Sequence, residues 1–141
     1  MRAVVYTMYG VAGTGYHNTN KEETIMETQE KQLELYDSLD RFKEKRDRAL
    51  PEVTAAANAL REAVYKDGAL SSKVKRLLAM AVALGIGCMP CIIAQTKKAV
   101  EAGATKDEVL EAVSVLLMIH GTSGYAETWR VVKVLEELEM I

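Results

Sequence analysis

The 141-residue chain has only two prolines and nine glycines, so few positions force a break and long uninterrupted elements are expected. Aromatic residues are scarce at 6%, while Ala, Leu, Glu and Lys are plentiful. That mixture favours helix throughout. Neither sign of charge dominates. A formal net charge of −2 gives no electrostatic case for a nucleic acid or an anionic membrane as partner. No apolar run reaches the length of a membrane span, because the longest, Leu77 to Ala94, is interrupted by Gly85, Gly87 and Pro90. The first residues lack the continuous apolar stretch and small-residue cleavage site of an export signal, so a reducing, cytoplasmic compartment is expected. Cysteine is limited to Cys88 and Cys91, and histidine to His17 and His120.

What is present reads as one domain with an extension. Hydrophobic residues make up 49% of the chain and charged residues 27%, ordinary for a globular domain of this length. Residues 1–25 share no pattern with the rest. Gly10, Gly13 and Gly15 lie there, but no Gly-Lys-Ser/Thr follows and the spacing is not a dinucleotide fingerprint. This part is expected to be a flexible extension, or to lie upstream of a start at Met26. From 26 to 141 about six helices are expected. Thr28–Arg48 carries Leu33, Tyr36, Leu39 and Phe42 on one stripe. Pro51 opens a second helix with Val53, Ala56, Leu60 and Val64 as its buried face, ended by Gly68. Ser71 or Ser72 caps a third helix reaching Ile86, apolar nearly all round and therefore central. A fourth runs from the cysteines to about Ala102. The run Thr105 to Glu108 is a capping box for a fifth, also apolar on most sides. After the Gly121–Gly124 corner, Val131, Val134, Leu135 and Leu138 mark the last. Trp129, Met80 and Met118 are expected in the core or between subunits.

The stretch Ala83 to Ala104 holds both thiols. Gly87 and Pro90 put Cys88 at a helix N-terminus and Cys91 in the first turn, where unpaired amides and the helix dipole favour a thiolate. Residues i and i+3 are close enough for a disulfide. Three readings follow: a redox dithiol, a metal site, or two buried small hydrophobes. Structural zinc takes four ligands. With His17 and His120 far off in sequence, a metal site would have to be shared across an oligomer.

In order along the chain stand the helix "ALSSKVKRLLAMAVA", the Gly-Cys-x-x-Cys entry to the next helix, "KKAVEAGATKDEVLEAV" and the corner "HGTSG". This set resembles the carboxymuconolactone decarboxylase-like family, in its alkylhydroperoxidase D-like branch, over about Ala49 to Leu138. The resemblance implies an all-α, alkylhydroperoxidase D-like helical fold, a homo-oligomer, and thiol–disulfide chemistry with peroxidase-type activity. Cys91 would be the attacking thiol and Cys88 the resolving one; the dipole argument alone favours the opposite order. A small peroxide or disulfide would be the substrate and a dithiol the electron donor. No cofactor and no metal are required.

Two positions depart from that branch. It carries a His four residues after the second Cys, where this chain has Gln95, and a Glu twelve residues before the first, where it has Arg76. Gln exchanges no proton near neutral pH and Arg stays charged, so the usual proton relay is missing. Arg76 could stabilise a thiolate and Gln95 could hold a thiol or substrate; alternatively Arg76 is a surface cation and Gln95 an incidental contact. His120 either caps a helix C-terminus or replaces the missing base. The rival functions are a non-enzymatic oligomer or redox sensor with a degraded relay, and, last, a decarboxylase acting on a small lactone acid.

Overall fold

The computed structural model describes residues 31–141. The expected extension over 1–25, the candidate start at Met26 and His17 lie outside the described residues. The architecture is all-α, with no strand among the described residues. Six longer helices are joined by short turns: α1 (Gln32–Ala49), α2 (Pro51–Tyr65), α3 (Ser72–Gly85), α4 (Met89–Glu101), α5 (Lys106–His120) and, after the single turn α6 (Thr122–Tyr125), α7 (Thr128–Glu137).

Local chemistry accounts for most boundaries. Pro51 sits in the first turn of α2, where its missing N–H has no helical partner to lose. The Ser71 hydroxyl accepts the Val74 N–H at 3.3 Å and opens α3. At α5 the Thr105 hydroxyl accepts the Glu108 N–H at 3.2 Å, and the Glu108 carboxylate accepts the Thr105 N–H at 2.8 Å. This is the reciprocal box read from the sequence.

α3 packs chiefly on α4 and α5, α4 also meets α7, and α1 lies across α4 and α7. Met80 and Leu84 of α3, Ile92 of α4, Val109 of α5, and Val131 and Leu135 of α7 form the buried centre. Each such side chain stabilises the fold by about 1.5–3 kcal/mol relative to exposure.

α1 begins without a side-chain cap of its own. Its first amides are instead met from the other end of the chain. The Glu137 carboxylate accepts the Gln32 N–H and the Leu33 N–H, each at 2.8 Å. Arg130 Nη1 donates to the buried Gln32 side-chain oxygen at 3.0 Å. A carboxylate at a helix N-terminus meets both the unpaired donors and the positive end of the dipole, so this contact pins α1 to α7.

Three expectations about burial are corrected. The face of α2 expected to be buried is exposed: Val53, Leu60 and Val64 all face outward, Leu60 at 67%, and α2 has no buried residue. The periodicity is that of an amphipathic helix, but α2 packs chiefly on α1 and α3 and no further helix among the described residues covers its apolar side. α3 and α5 are central on one side only. Leu78 and Val82 of α3 and its C-cap Ile86 are exposed, and so are Val115, Met118 and Ile119 of α5, the last two at 85% and 83%. Phe42, expected on the α1 stripe, also points outward, whereas Leu33, Tyr36 and Leu39 are half-buried.

If the Glu137 cap holds α1 in place, Glu137→Ala lowers the unfolding free energy by about 1–3 kcal/mol, the cost of leaving donors without a partner. Glu137→Gln, which keeps one acceptor oxygen, loses less. Urea denaturation followed by circular dichroism measures both; an unchanged midpoint in Glu137→Ala would show that the cap contributes no stability.

Candidate active site

The site begins at the turn between α3 and α4. Gly87 has φ +67°, a left-handed conformation that a side chain would strain. The reversal it allows brings the Cys88 N–H onto the Ala83 carbonyl at 3.0 Å, and the Cys88 carbonyl takes the Ile92 N–H at 2.9 Å. Cys88 is thus tied to the end of α3 while it forms the N-cap of α4. Pro90 follows in the first turn, and Cys91 completes that turn. The two sulfurs are joined as a disulfide with a Cα–Cα separation of 5.3 Å, within the range bridged cysteines adopt. Cys88 is half-buried and Cys91 exposed.

Cys91 opens on a cavity of about 380 Å³ between α1, α2 and α4. From α4 it is lined by Pro90, Cys91, Ala94, Gln95 and Lys98; α2 adds Arg61; α1 supplies Tyr36, Leu39, Asp40, Lys43 and Arg46. Four of these side chains are cationic and one is a carboxylate. Asp40 is paired with Lys43 at 3.1 Å, and Arg46 with Asp47 at 2.6 Å. Arg61 donates to the Asn58 side-chain oxygen. Among the described residues neither Arg61 nor Lys98 has a carboxylate within ion-pair distance. Burial holds the Lys98 ammonium below the ordinary lysine pKa, repulsion from Arg76, Arg61 and Lys43 adds to it, and Asp40 opposes it.

Arg76 and Gln95, read separately in the sequence, meet. Arg76 Nη1 donates to Gln95 Oε1 at 3.1 Å, and the guanidinium lies 3.4 Å from the centroid of the Tyr65 ring. Arg76 is half-buried, held between an amide and an aromatic face. Gln95, one turn beyond Cys91, lines the same cavity. The pair therefore joins the positions where the resemblance implies an acid and an imidazole.

His120 lies elsewhere. It ends α5, with Gly121 as the C-cap. Its ring is packed so closely on Gly124 that a Cβ there would meet Nδ1 at 3.1 Å, and it also approaches Gly85 of α3. It is not among the residues lining the cavity at Cys91. No group of three or more His, Cys, Asp or Glu among the described residues could hold a metal ion.

Sequence reasoning missed the opposite wall, Lys43, Arg46 and Arg61, and the Tyr65 ring under Arg76. Their charges and aromatic face are visible in the sequence, but nothing there says that α1 packs on α4 or that α2 brings Arg61 to the cavity and Tyr65 to Arg76.

Residues 51–135 match the model of the carboxymuconolactone decarboxylase family. An uncharacterized protein of the cox locus of Paracoccus denitrificans is 35% identical over 92 residues, 65% of this chain and 83% of that one. An uncharacterized protein of Cupriavidus necator is 30% identical over 76 residues, 54% of this chain and 67% of that one. Among solved structures, an apo carboxymuconolactone decarboxylase family protein from Legionella pneumophila superposes with a TM-score of 0.73 at 28% identity. That match covers 76% of this chain and 96% of that one. A protein from Thermotoga maritima gives 0.65 at 26% identity, covering 74% and 92%. With its family model matched across α2 to α7 and its helical fold shared with these structures, the chain belongs to the carboxymuconolactone decarboxylase family.

Proposed function

We propose that the protein is a thiol–disulfide oxidoreductase of the alkylhydroperoxidase D-like kind, cycling Cys88 and Cys91 between dithiol and disulfide. The observation that carries this reading is the pair itself: two sulfurs at bonding distance in the first turn of α4, one of them exposed to a cavity. Cys91 is the attacking thiol because it faces the cavity, and Cys88 resolves. With a hydroperoxide, the Cys91 thiolate takes the terminal oxygen, the O–O bond breaks, and the alkoxide leaves as alcohol after gaining a proton. Cys88 then attacks the Cys91 sulfenic acid, the disulfide forms and water departs. A dithiol donor restores both thiols by exchange and is itself oxidised. Such a donor is kept reduced in the cytoplasm, where we place the protein; no helix among the described residues is long and apolar enough to cross a membrane.

One observation favours a slower variant, a redox sensor. The two relay positions hold Arg76 and Gln95, which bond to each other and move no proton near neutral pH. Protonating the departing alkoxide then falls to water.

We also infer a homo-oligomer. The uncovered apolar faces of α2, α3 and α5 together exceed what scattered surface residues explain, and burying them between copies removes them from water.

Two experiments check these readings. Treating the reduced protein with a small hydroperoxide and analysing it by mass spectrometry should show loss of two hydrogens from the peptide holding Cys88 and Cys91, and Cys91→Ser should abolish it. Gln95→His raises the rate by a factor of about ten, short of the full ~10²-fold of a positioned base, because Arg76 disfavours a protonated imidazole beside it. Adding Arg76→Glu raises it further. Thiols inert to peroxides and disulfides would overturn the redox reading; an unchanged rate in Gln95→His would show that no proton step at this position is limiting. Light scattering at micromolar concentration should give a mass above one subunit, reduced in Ile119→Lys; a monomeric wild type contradicts the assembly.

A further inference from the structure

The cation-lined wall of the cavity faces the attacking sulfur and has no counterpart in the thiol chemistry, which needs only the two cysteines and a donor. Lys43 and Arg46 are each offset by a neighbouring carboxylate. Arg61 and Lys98 are not, and Arg76 stands behind them on Gln95. Positive charges that converge on one concave surface without matching acids raise the folding cost of the apo protein and are compensated when an anion enters. The mutual repulsion felt by Lys98 is the same imbalance seen from one of its members. The rest of the wall is Leu39, Pro90, Ala94, the body of Tyr36, the Gln95 amide and one carboxylate, Asp40, which is paired with Lys43, and about 380 Å³ suits a compact molecule rather than a long acyl chain.

We propose that the site takes a small disulfide carrying carboxylates, its carboxylate seated on Arg61 and Lys98 and its S–S bond presented to Cys91. This rests on the redox reading above and names its substrate class. The step is a thiol–disulfide exchange. The Cys91 thiolate attacks the nearer substrate sulfur, the substrate S–S bond breaks, and the far half leaves as a thiolate. Cys88, losing its proton to solvent, attacks Cys91 in the mixed disulfide and releases the second half as a thiolate. The substrate is reduced by two electrons to two thiols, and the pair is oxidised to the Cys88–Cys91 disulfide. A thiolate is a far weaker base than an alkoxide and departs near neutral pH without being handed a proton. The exchange therefore suits a site whose relay positions hold Arg76 and Gln95, and the cations that seat the carboxylate also stabilise the departing thiolate.

Three disulfides of similar size separate charge from shape: 3,3′-dithiodipropionate (anionic), bis(2-hydroxyethyl) disulfide (neutral) and cystamine (cationic). Each is mixed with the reduced protein at low salt, and formation of the Cys88–Cys91 disulfide is timed by acid quench and mass spectrometry. The dicarboxylate should react roughly tenfold or more faster than the neutral compound, as expected for a focused field, and cystamine slowest. The anionic-to-neutral ratio should fall toward one as sodium chloride is raised. It should also fall in Lys98→Gln and Arg61→Gln, whatever each variant does to the individual rates. Lys106→Gln removes an equal charge from the start of α5, away from the cavity, and should leave the ratio in place. A ratio near one in the wild type, or a ratio that Lys98→Gln and Arg61→Gln lower no more than Lys106→Gln does, overturns the carboxylate site while the redox reading stands. Failure of all three compounds to oxidise the pair overturns the carboxylate site, and the redox reading falls with it only if a small hydroperoxide also leaves both thiols unoxidised.

Discussion

The reversal at Gly87 is the constraint on which the site depends. Its left-handed backbone lets α3 end and α4 begin within three residues. The Cys88 N–H bonded to the Ala83 carbonyl fixes the first thiol to the end of a helix whose Met80 and Leu84 are wholly buried. The second thiol then has no choice of place. One turn of helix separates it from the first, with Pro90 holding φ between them, so the pair is close whether or not it is bonded. Burial of Ile92 and Ile93 immediately after it faces the next residues of α4 inward and leaves Cys91 at the surface.

What the cavity adds is electrostatic. α1 packs on α4, Arg61 reaches in from α2, and together they bring cations to a surface that α4 alone would leave open. In place of an acid and an imidazole, the chain has a guanidinium bound to an amide and stacked on Tyr65. The first arrangement moves protons; the second places a cation behind Gln95, a residue that lines the cavity with Cys91. The two differ in which reactions they serve. A guanidinium favours anions nearby and does nothing for a step limited by proton delivery.

Much of this was legible in the sequence where the information is local. The capping box at Thr105, the proline opening α2, the serine opening α3 and the glycine before Cys88 each act within a few residues, and the helices follow from them. Non-local matters were not legible. Glu137 caps α1 from 105 residues away, and no pattern in the first helix points to it. The stripe on α2 correctly marks an apolar face, but periodicity says that a face is apolar and not what covers it. Gln95 could be put on the face of Cys91 from i+4 spacing; its bond to Arg76 required knowing how α3 lies against α4. Nothing in the sequence singles out Arg61 or Lys43, and they join the site only because α1 packs on α4 and α2 returns beside α1.

The central claim is that the fold makes Cys91 the accessible nucleophile and keeps Cys88 in reserve. Its most direct test is timed alkylation of the fully reduced protein with limiting iodoacetamide near neutral pH, with each cysteine quantified by mass spectrometry. The account predicts that Cys91 is modified first, by a factor of roughly ten or more, as expected of an exposed thiol in an electropositive setting against a half-buried one. Equal modification of the two, or faster modification of Cys88, would contradict it.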